Sequence, residues 1–268
     1  MSGDDARLFL WLSAAGPVLA ETLARDCAAA ADGVIIDHQH GAYGMDAALA
    51  VLAAVIGKAK HVVVRISEVG DAETCKFLDA GATTVIAPMI NTPEQCERFV
   101  HSCLYPPQGV RSFGPYRQKA LIKGGFSLQA ANAQCVPLAM IETKQALANL
   151  DAILAVPGLG GVFVGPNDLA ISMGYAPSSS PQGAVLEAVA LIAKRTRARR
   201  LVAGIFCTDA ATCRAMQKLG FNFVSVGTDA VRFFWRFDME PVLTHARAPA
   251  HAVGANTGPY VRPSQGGA

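Results

Sequence analysis

A single (β/α)₈ barrel is the fold this sequence predicts, on three observations. Eight short β-rich runs recur along 268 residues, with helical patterns between them. The runs are almost continuously apolar, as in VIID, VVVRI and VFVG, which is expected of strands buried on both faces. With 51% hydrophobic residues the chain also has the length of one barrel, about 250 residues.

Taken in order, the strand runs are Leu8–Leu12, Gly33–Asp37, Val62–Ile66, Thr84–Pro88, Leu138–Glu142, Gly161–Val164, Val202–Phe206 and Phe223–Val226. The clearest helices are Met45–Gly57, then Thr92–Ser102 with a Thr cap and Glu94 nearby, then Asp209–Leu219 stopping before Gly220. Strand and helix alternate throughout, which calls for a parallel barrel. One stretch breaks the rhythm. About 30 residues, from Tyr105 to Val136, separate the fourth helix from the fifth strand, and a connection that long is expected to serve as a lid or an assembly surface. Within it Arg111 is expected to organise the segment. The barrel is expected over residues 1–248, and the Gly/Pro/Ser/Ala-rich residues 249–268 as a flexible tail.

Composition narrows the function. Lys+Arg number 23 and Asp+Glu 21, a formal net charge of +2, so no nucleic-acid-binding surface is indicated. The cluster Lys194, Arg195, Arg197, Arg199 and Arg200 reads as a solvated helix end, where cations suit the dipole. The seven cysteines form no CxxC pair and read as reduced thiols. No apolar run approaches the roughly 20 residues of a membrane span. The first residues are acidic where a signal peptide is basic, so a soluble cytoplasmic protein is expected.

Barrel enzymes place their chemistry where the strands end, and four strands here end in ionisable residues. Asp37 closes the second and His40 follows it, Arg65 closes the third, Glu142 the fifth, and Gly165-Pro166-Asn167-Asp168 follows the sixth. Glu142 and Asp168 offer hard oxygen donors suited to Mg²⁺ or Mn²⁺. A 2-oxo acid could chelate such a cation, which would act as Lewis acid toward an enolate. Arg65 adds a forked donor for the developing oxyanion. His40 is the natural proton-transfer group, with Asp37 placed to orient it.

Each residue also has a plain structural reading. Arg65 and Glu142 can form buried ion pairs, His38 and His40 can be solvated, and Asp168 can cap a short helix. A Schiff-base aldolase needs a lysine inside the barrel, yet none of the eight lysines lies within a strand run; Lys144, just past the fifth, is the nearest. No GxGxxG or GxxxxGK[ST] motif indicates a nucleotide cofactor. Apolar residues such as Phe113 and Phe206 are expected to select the second substrate.

These residues carry a resemblance. Asp37-x-x-His40-Gly41, VVVR ending in Arg65, LDAGA from Leu78 to Ala82, APM from Ala87 to Met89, YPPxGxR from Tyr105 to Arg111, IET around Glu142 and VGPNDLAISMG from Val164 to Gly174 together resemble the HpcH/HpaI family of class II pyruvate aldolases. The likeness runs from about Leu8 to Val231. It implies a phosphoenolpyruvate/pyruvate-domain-like barrel that cleaves or forms 4-hydroxy-2-oxo acids, giving pyruvate and an aldehyde. It also implies Glu142 and Asp168 as ligands of Mg²⁺, Mn²⁺ or Co²⁺, Arg65 on pyruvate and its enolate, and His40 with Asp37 for proton transfer. Amides around Gly165, Pro166 and Asn167 would hold the pyruvate carboxylate. It further implies a homohexamer, a dimer of trimers, in which Asp79 approaches the His–Asp pair of a neighbouring subunit. Three positions depart from the family pattern: Gln39 stands where Glu is usual, Met140 where Gln is frequent, and Ser112 where Gly is common. The alternatives kept open are related enolate chemistry, as in an oxaloacetate decarboxylase or a carbon–carbon bond-forming synthase, and a barrel that binds a 2-oxo acid without turnover.

Overall fold

The computed structural model describes residues 6–26, 31–122 and 124–230. Where the apolar runs fall, eight parallel strands close into a barrel in chain order: β1 (Arg7–Leu12), β2 (Gly33–Asp37), β3 (His61–Arg65), β4 (Thr84–Ala87), β5 (Val136–Ile141), β6 (Gly161–Val164), β7 (Val202–Cys207) and β8 (Phe223–Thr228). Around it run α1 (Pro17–Asp26), α2 (Met45–Val55), α3 (Asp71–Asp79), α4 (Pro93–Cys103), α5 (Gln118–Leu121), α6 (Leu128–Gln134), α7 (Lys144–Ala148), α8 (Leu150–Ile153), α9 (Pro166–Ser172), α10 (Gly183–Ala198) and α11 (Ala210–Lys218). The predicted tail, residues 249–268, lies outside the described residues.

Each predicted strand is present, with ends that shift by up to two residues. Ile66, Pro88 and Glu142 stand one residue beyond their strands, on the loops that form the mouth. The predicted helices likewise end early or late for local reasons. Gly57, at φ +81°, lies past the end of α2, and Asp209 caps α11 by accepting from the amides of Ala211 and Thr212. At α4, Thr92 caps with Gln95, not Glu94, as the reciprocal partner. The basic cluster does end α10.

Two apolar layers hold the fold. Phe9, Trp11, Ile35, Val63, Ile86, Leu138, Met140, Phe163 and Phe223 fill the barrel, with Phe9 and Phe223 stacked 3.8 Å apart. The larger layer lies between strands and helices. This filled interior leaves polar side chains room only at the open ends.

The long connection is not a lid over its own barrel. α4 carries the chain back from the C-terminal end of β4, so the segment leading to β5 lies at the opposite, N-terminal foot, where Val136 N donates to Thr83 O at 2.8 Å. It is also not structureless, since α5 and α6 lie within it. Phe113 packs there against Tyr105 and Phe126 and so cannot select a substrate at the mouth of its own chain. Arg111 does organise the segment, donating to Asp79 and Gln118 at 2.6 and 3.0 Å.

Closure between β8 and β1 is fixed by Asp229, whose buried carboxylate accepts from the amides of Ser13, Ala14, Ala15 and Ala230 at 2.6 to 3.1 Å. Removing it leaves several amides without a partner. Asp229→Ala is therefore expected to cost about 3 kcal/mol, lowering the melting temperature by roughly 8 °C in calorimetry. An unchanged melt would contradict this role.

Candidate active site

The C-terminal mouth holds a cavity of about 330 Å³, lined by Asp37, His40, Arg65 and Asp168 among the expected residues. In the β2–β3 register Asp37 lies directly opposite Arg65, which sets up their contact. Arg65 donates through Nε to Asp37 Oδ1 at 2.9 Å and through Nη2 to Oδ2 at 2.7 Å. Trp11 Nε1 donates to the same carboxylate at 3.1 Å, and the guanidinium lies over the Trp11 ring, 4.8 Å from its centroid. Burial alone would raise the Asp37 carboxyl, but the Arg65 hydrogen bonds and charge, with the Trp11 and His40 N–H groups, outweigh it and hold it below its usual range. Asp37 is thus a fixed anion. Its fork occupies two nitrogens of Arg65 and leaves Nη1 for a ligand.

His40 lines the cavity. Asp37 reaches it through the backbone, accepting from His40 N at 3.2 Å and Gln39 N at 3.1 Å, while the imidazole is exposed. The carboxylate therefore shapes the loop that carries His40 and does not pair with its ring. His38, read as solvated, instead pairs with Glu73 at 2.5 Å and is only 13% exposed at its side chain.

Glu142 is buried where β5 ends, and its Oε1 accepts from Met89 N at 2.7 Å. Burial pushes its carboxyl up to about 7; the Met89 amide and Arg65 work against the rise, and the Asp168 charge adds to it. Asp168 sits in the first turn of α9 and lines the cavity, whereas Glu142 lies behind its wall, beneath Gly165 and close enough to Asp168 and Arg65 to feel both charges. A Cβ on Gly165 would come within 2.4 Å of Glu142 Oε2, so glycine gives that oxygen its room. Two neighbouring carboxylates, one of them desolvated, suit a hard divalent cation that would relieve their repulsion. Gly165→Ala is accordingly expected to weaken Mn²⁺ binding at least about tenfold with the fold kept, read by calorimetric titration. Wild-type affinity in that variant would contradict the assignment.

Gly165, Pro166 and Asn167 line the mouth beside Asp168; Pro166 has no N–H, so it contributes shape and not a donor. Asp79 is placed elsewhere. It ends α3 at the foot of the barrel, paired with Arg111, so within one chain it does not meet His40. Among the described residues no lysine lines the cavity.

Sequence reasoning missed Trp11, Ser13, Phe163, Thr228 and Ala230, which complete the wall from β1, β6 and β8. A tryptophan near the end of an apolar strand was the one available signal, since its N–H needs a buried partner. Phe206 does line the cavity, its ring edge-on to Trp11 at 5.5 Å.

The fold and this mouth define a (β/α)₈ enzyme with an acidic, arginine-bearing site for a small ligand. Residues 7–234 match the model of the HpcH/HpaI aldolase/citrate lyase family. The chain is 39% identical to a hydroxypyruvate/pyruvate aldolase of Rhizorhabdus wittichii, over 82% of this chain and 86% of that one. It is 34% identical to a 2-keto-3-deoxy-L-rhamnonate aldolase of Salmonella gallinarum, over 85% of each. Its fold is similar, at a TM-score of 0.80 and 28% identity, to an HpcH/HpaI aldolase/citrate lyase family protein from Burkholderia cenocepacia, covering 92% of this chain and 96% of the other. The chain belongs to the HpcH/HpaI aldolase/citrate lyase family, and it is an aldolase-type carbon–carbon lyase.

Proposed function

We propose that this enzyme cleaves or forms 4-hydroxy-2-oxo acids through a pyruvate enolate, with a divalent cation, Mg²⁺, Mn²⁺ or Co²⁺, held by Glu142 and Asp168. The observation that carries this reading is that the buried Glu142 lies within electrostatic reach of Asp168 and Arg65, both of which line the mouth. When bound, the cation supplies Lewis acidity at the 2-oxo group. The protein does the rest. Arg65, held by its fork to Asp37, directs Nη1 at the C2 oxygen and stabilises the negative charge that develops there. His40 takes the proton from the C4 hydroxyl as the C3–C4 bond breaks, and the bonding pair becomes the C2–C3 double bond of the enolate. Protonation at C3 then gives pyruvate, with the aldehyde as second product. The amides of Gly165 and Asn167 hold the carboxylate of the 2-oxo acid.

Asp79 would join this chemistry from a second copy. The foot that carries Asp79 and Arg111 also exposes Val110, Phe113 and Tyr116, which suits contact between chains in a dimer of trimers. The barrel is read as spanning residues 1–248, and a cytoplasmic setting accords with free thiols at Cys75, Cys96, Cys103, Cys135, Cys207 and Cys213. Among the described residues no helix is long and apolar enough to cross a membrane.

The test is pyruvate release from a panel of 4-hydroxy-2-oxo acids, followed with lactate dehydrogenase, in chelator and after each metal is restored. Release that needs metal is the expected result, and equal release in chelator would overturn the reading. His40→Ala is expected to slow this cleavage about 10²- to 10⁴-fold. It should slow oxaloacetate decarboxylation far less, because that substrate loses CO₂ with no hydroxyl proton to remove. Equal loss on both substrates would assign His40 another role.

A further inference from the structure

Glu142 is held from outside its own strand, and the hold is unusual. The amide that donates to Glu142 Oε1 belongs to Met89, at φ +55° one of only two non-glycine residues with positive φ among those described. Such a conformation is uncommon for a residue with a side chain and persists where its surroundings fix it. Met89 is 49% exposed, so side-chain packing does not account for it.

Asn91 does. Its Nδ2 donates to Met89 O at 3.1 Å, which fixes the far side of the left-handed turn. Its Oδ1 meets the hydroxyl of Thr143, the residue after Glu142. That hydroxyl already accepts from Ala146 N at 3.0 Å as the cap of α7, so toward Asn91 it donates. The Asn91 backbone is pinned as well, its carbonyl accepting from Asn149 Nδ2 at 2.8 Å and its amide donating to Gln95 Oε1 at 2.7 Å. None of this caps α4, because Thr92 and Gln95 do so. One side-chain amide therefore ties the loop that supplies the N–H donor to the loop that carries the carboxylate.

The consequence falls on one oxygen. Oε1 is engaged by Met89, and Oε2 lies over Gly165 in space that a Cβ would fill, so the two oxygens of Glu142 stand in different settings. We propose that Asn91 and the left-handed backbone of Met89 are positioning residues that fix Glu142 as a one-oxygen ligand; this rests on the metal-binding reading above. An outer partner that orients a ligand is worth about 10- to 100-fold in metal affinity.

The test is Mn²⁺ titration of the full-length, metal-stripped protein, read by the electron paramagnetic resonance of free Mn²⁺, with a thermal melt of each variant. Asn91→Ala is expected to weaken Mn²⁺ about tenfold or more. Met89→Val, whose branched side chain opposes positive φ, should do the same, whereas Met89→Gly should stay within about twofold of wild type. Glu142→Gln is the control and should lose most binding. Wild-type affinity in Asn91→Ala, or equal weakening in Met89→Gly and Met89→Val, would overturn the positioning role while the metal site stands. Undiminished binding in Glu142→Gln would instead overturn the metal site itself. Should Met89→Val fail to fold, Asn91→Ala decides alone.

Discussion

Glu142→Gln is expected to slow metal-dependent proton exchange on pyruvate by at least about 10³-fold, the several kcal/mol that Lewis-acid stabilisation contributes. The same change is expected to stabilise the metal-free protein at alkaline pH. The sign follows from the raised carboxyl, which titrates near 7 in the folded chain against 4.5 for the ordinary group. Below pH 4.5 both states hold the proton and nothing is lost. Between 4.5 and 7 only the folded state keeps it, so stability falls as pH rises, by about 3 kcal/mol once pH exceeds 7. Glutamine removes that penalty. Denaturant melts of wild type and variant in chelator should therefore converge at pH 4.5 and diverge at pH 8, with the variant the more stable. A variant that is less stable at pH 8 would show that Glu142 is a structural anion and not a group held ready for a cation.

Arg65→Ala is expected to have the second largest effect, on stability and catalysis together. Asp37 is only 2% exposed, and without its partner it becomes an uncompensated buried charge, costing about 3–5 kcal/mol. Loss of the oxyanion donor should slow enolate formation about 10²- to 10³-fold. Arg65→Lys would keep the charge but not the two-pronged contact with Asp37, so it should recover little of either. The double variant Asp37→Leu, Arg65→Met separates the effects. An apolar pair of similar bulk should restore most of the stability and none of the activity. Recovered activity would show that the pair is structural alone.

The eight strands were legible because parallel strands buried on both faces must be apolar almost throughout, and Val62–Val64 or Val162–Val164 could hardly be anything else. The same pressure made Asp37, Arg65 and Glu142 conspicuous, since a charge at the end of such a run has only the mouth to go to. Distance across the chain was what the sequence hid. Trp11 reads as one more apolar strand residue until the barrel closes and brings its N–H to Asp37. Met89 gives no sign of its positive φ, because its hydrogen-bond partner Glu142 comes from another part of the mouth. Of the two roles expected for the segment from Tyr105 to Val136, a lid over its own mouth fails and an assembly surface stays open, because length alone does not say at which end of a barrel a connection lies. Counting the turn made by α4 would have placed it at the foot.

Loss of the pyruvate methyl signal in D₂O, followed by proton NMR with chelator and then with Mg²⁺ or Mn²⁺, tests the enolate chemistry without any assumption about the aldehyde. Exchange that appears with metal and vanishes in Glu142→Gln is the predicted result. Exchange that is equally fast in chelator, or none with any metal in folded protein that binds Mn²⁺, would contradict it.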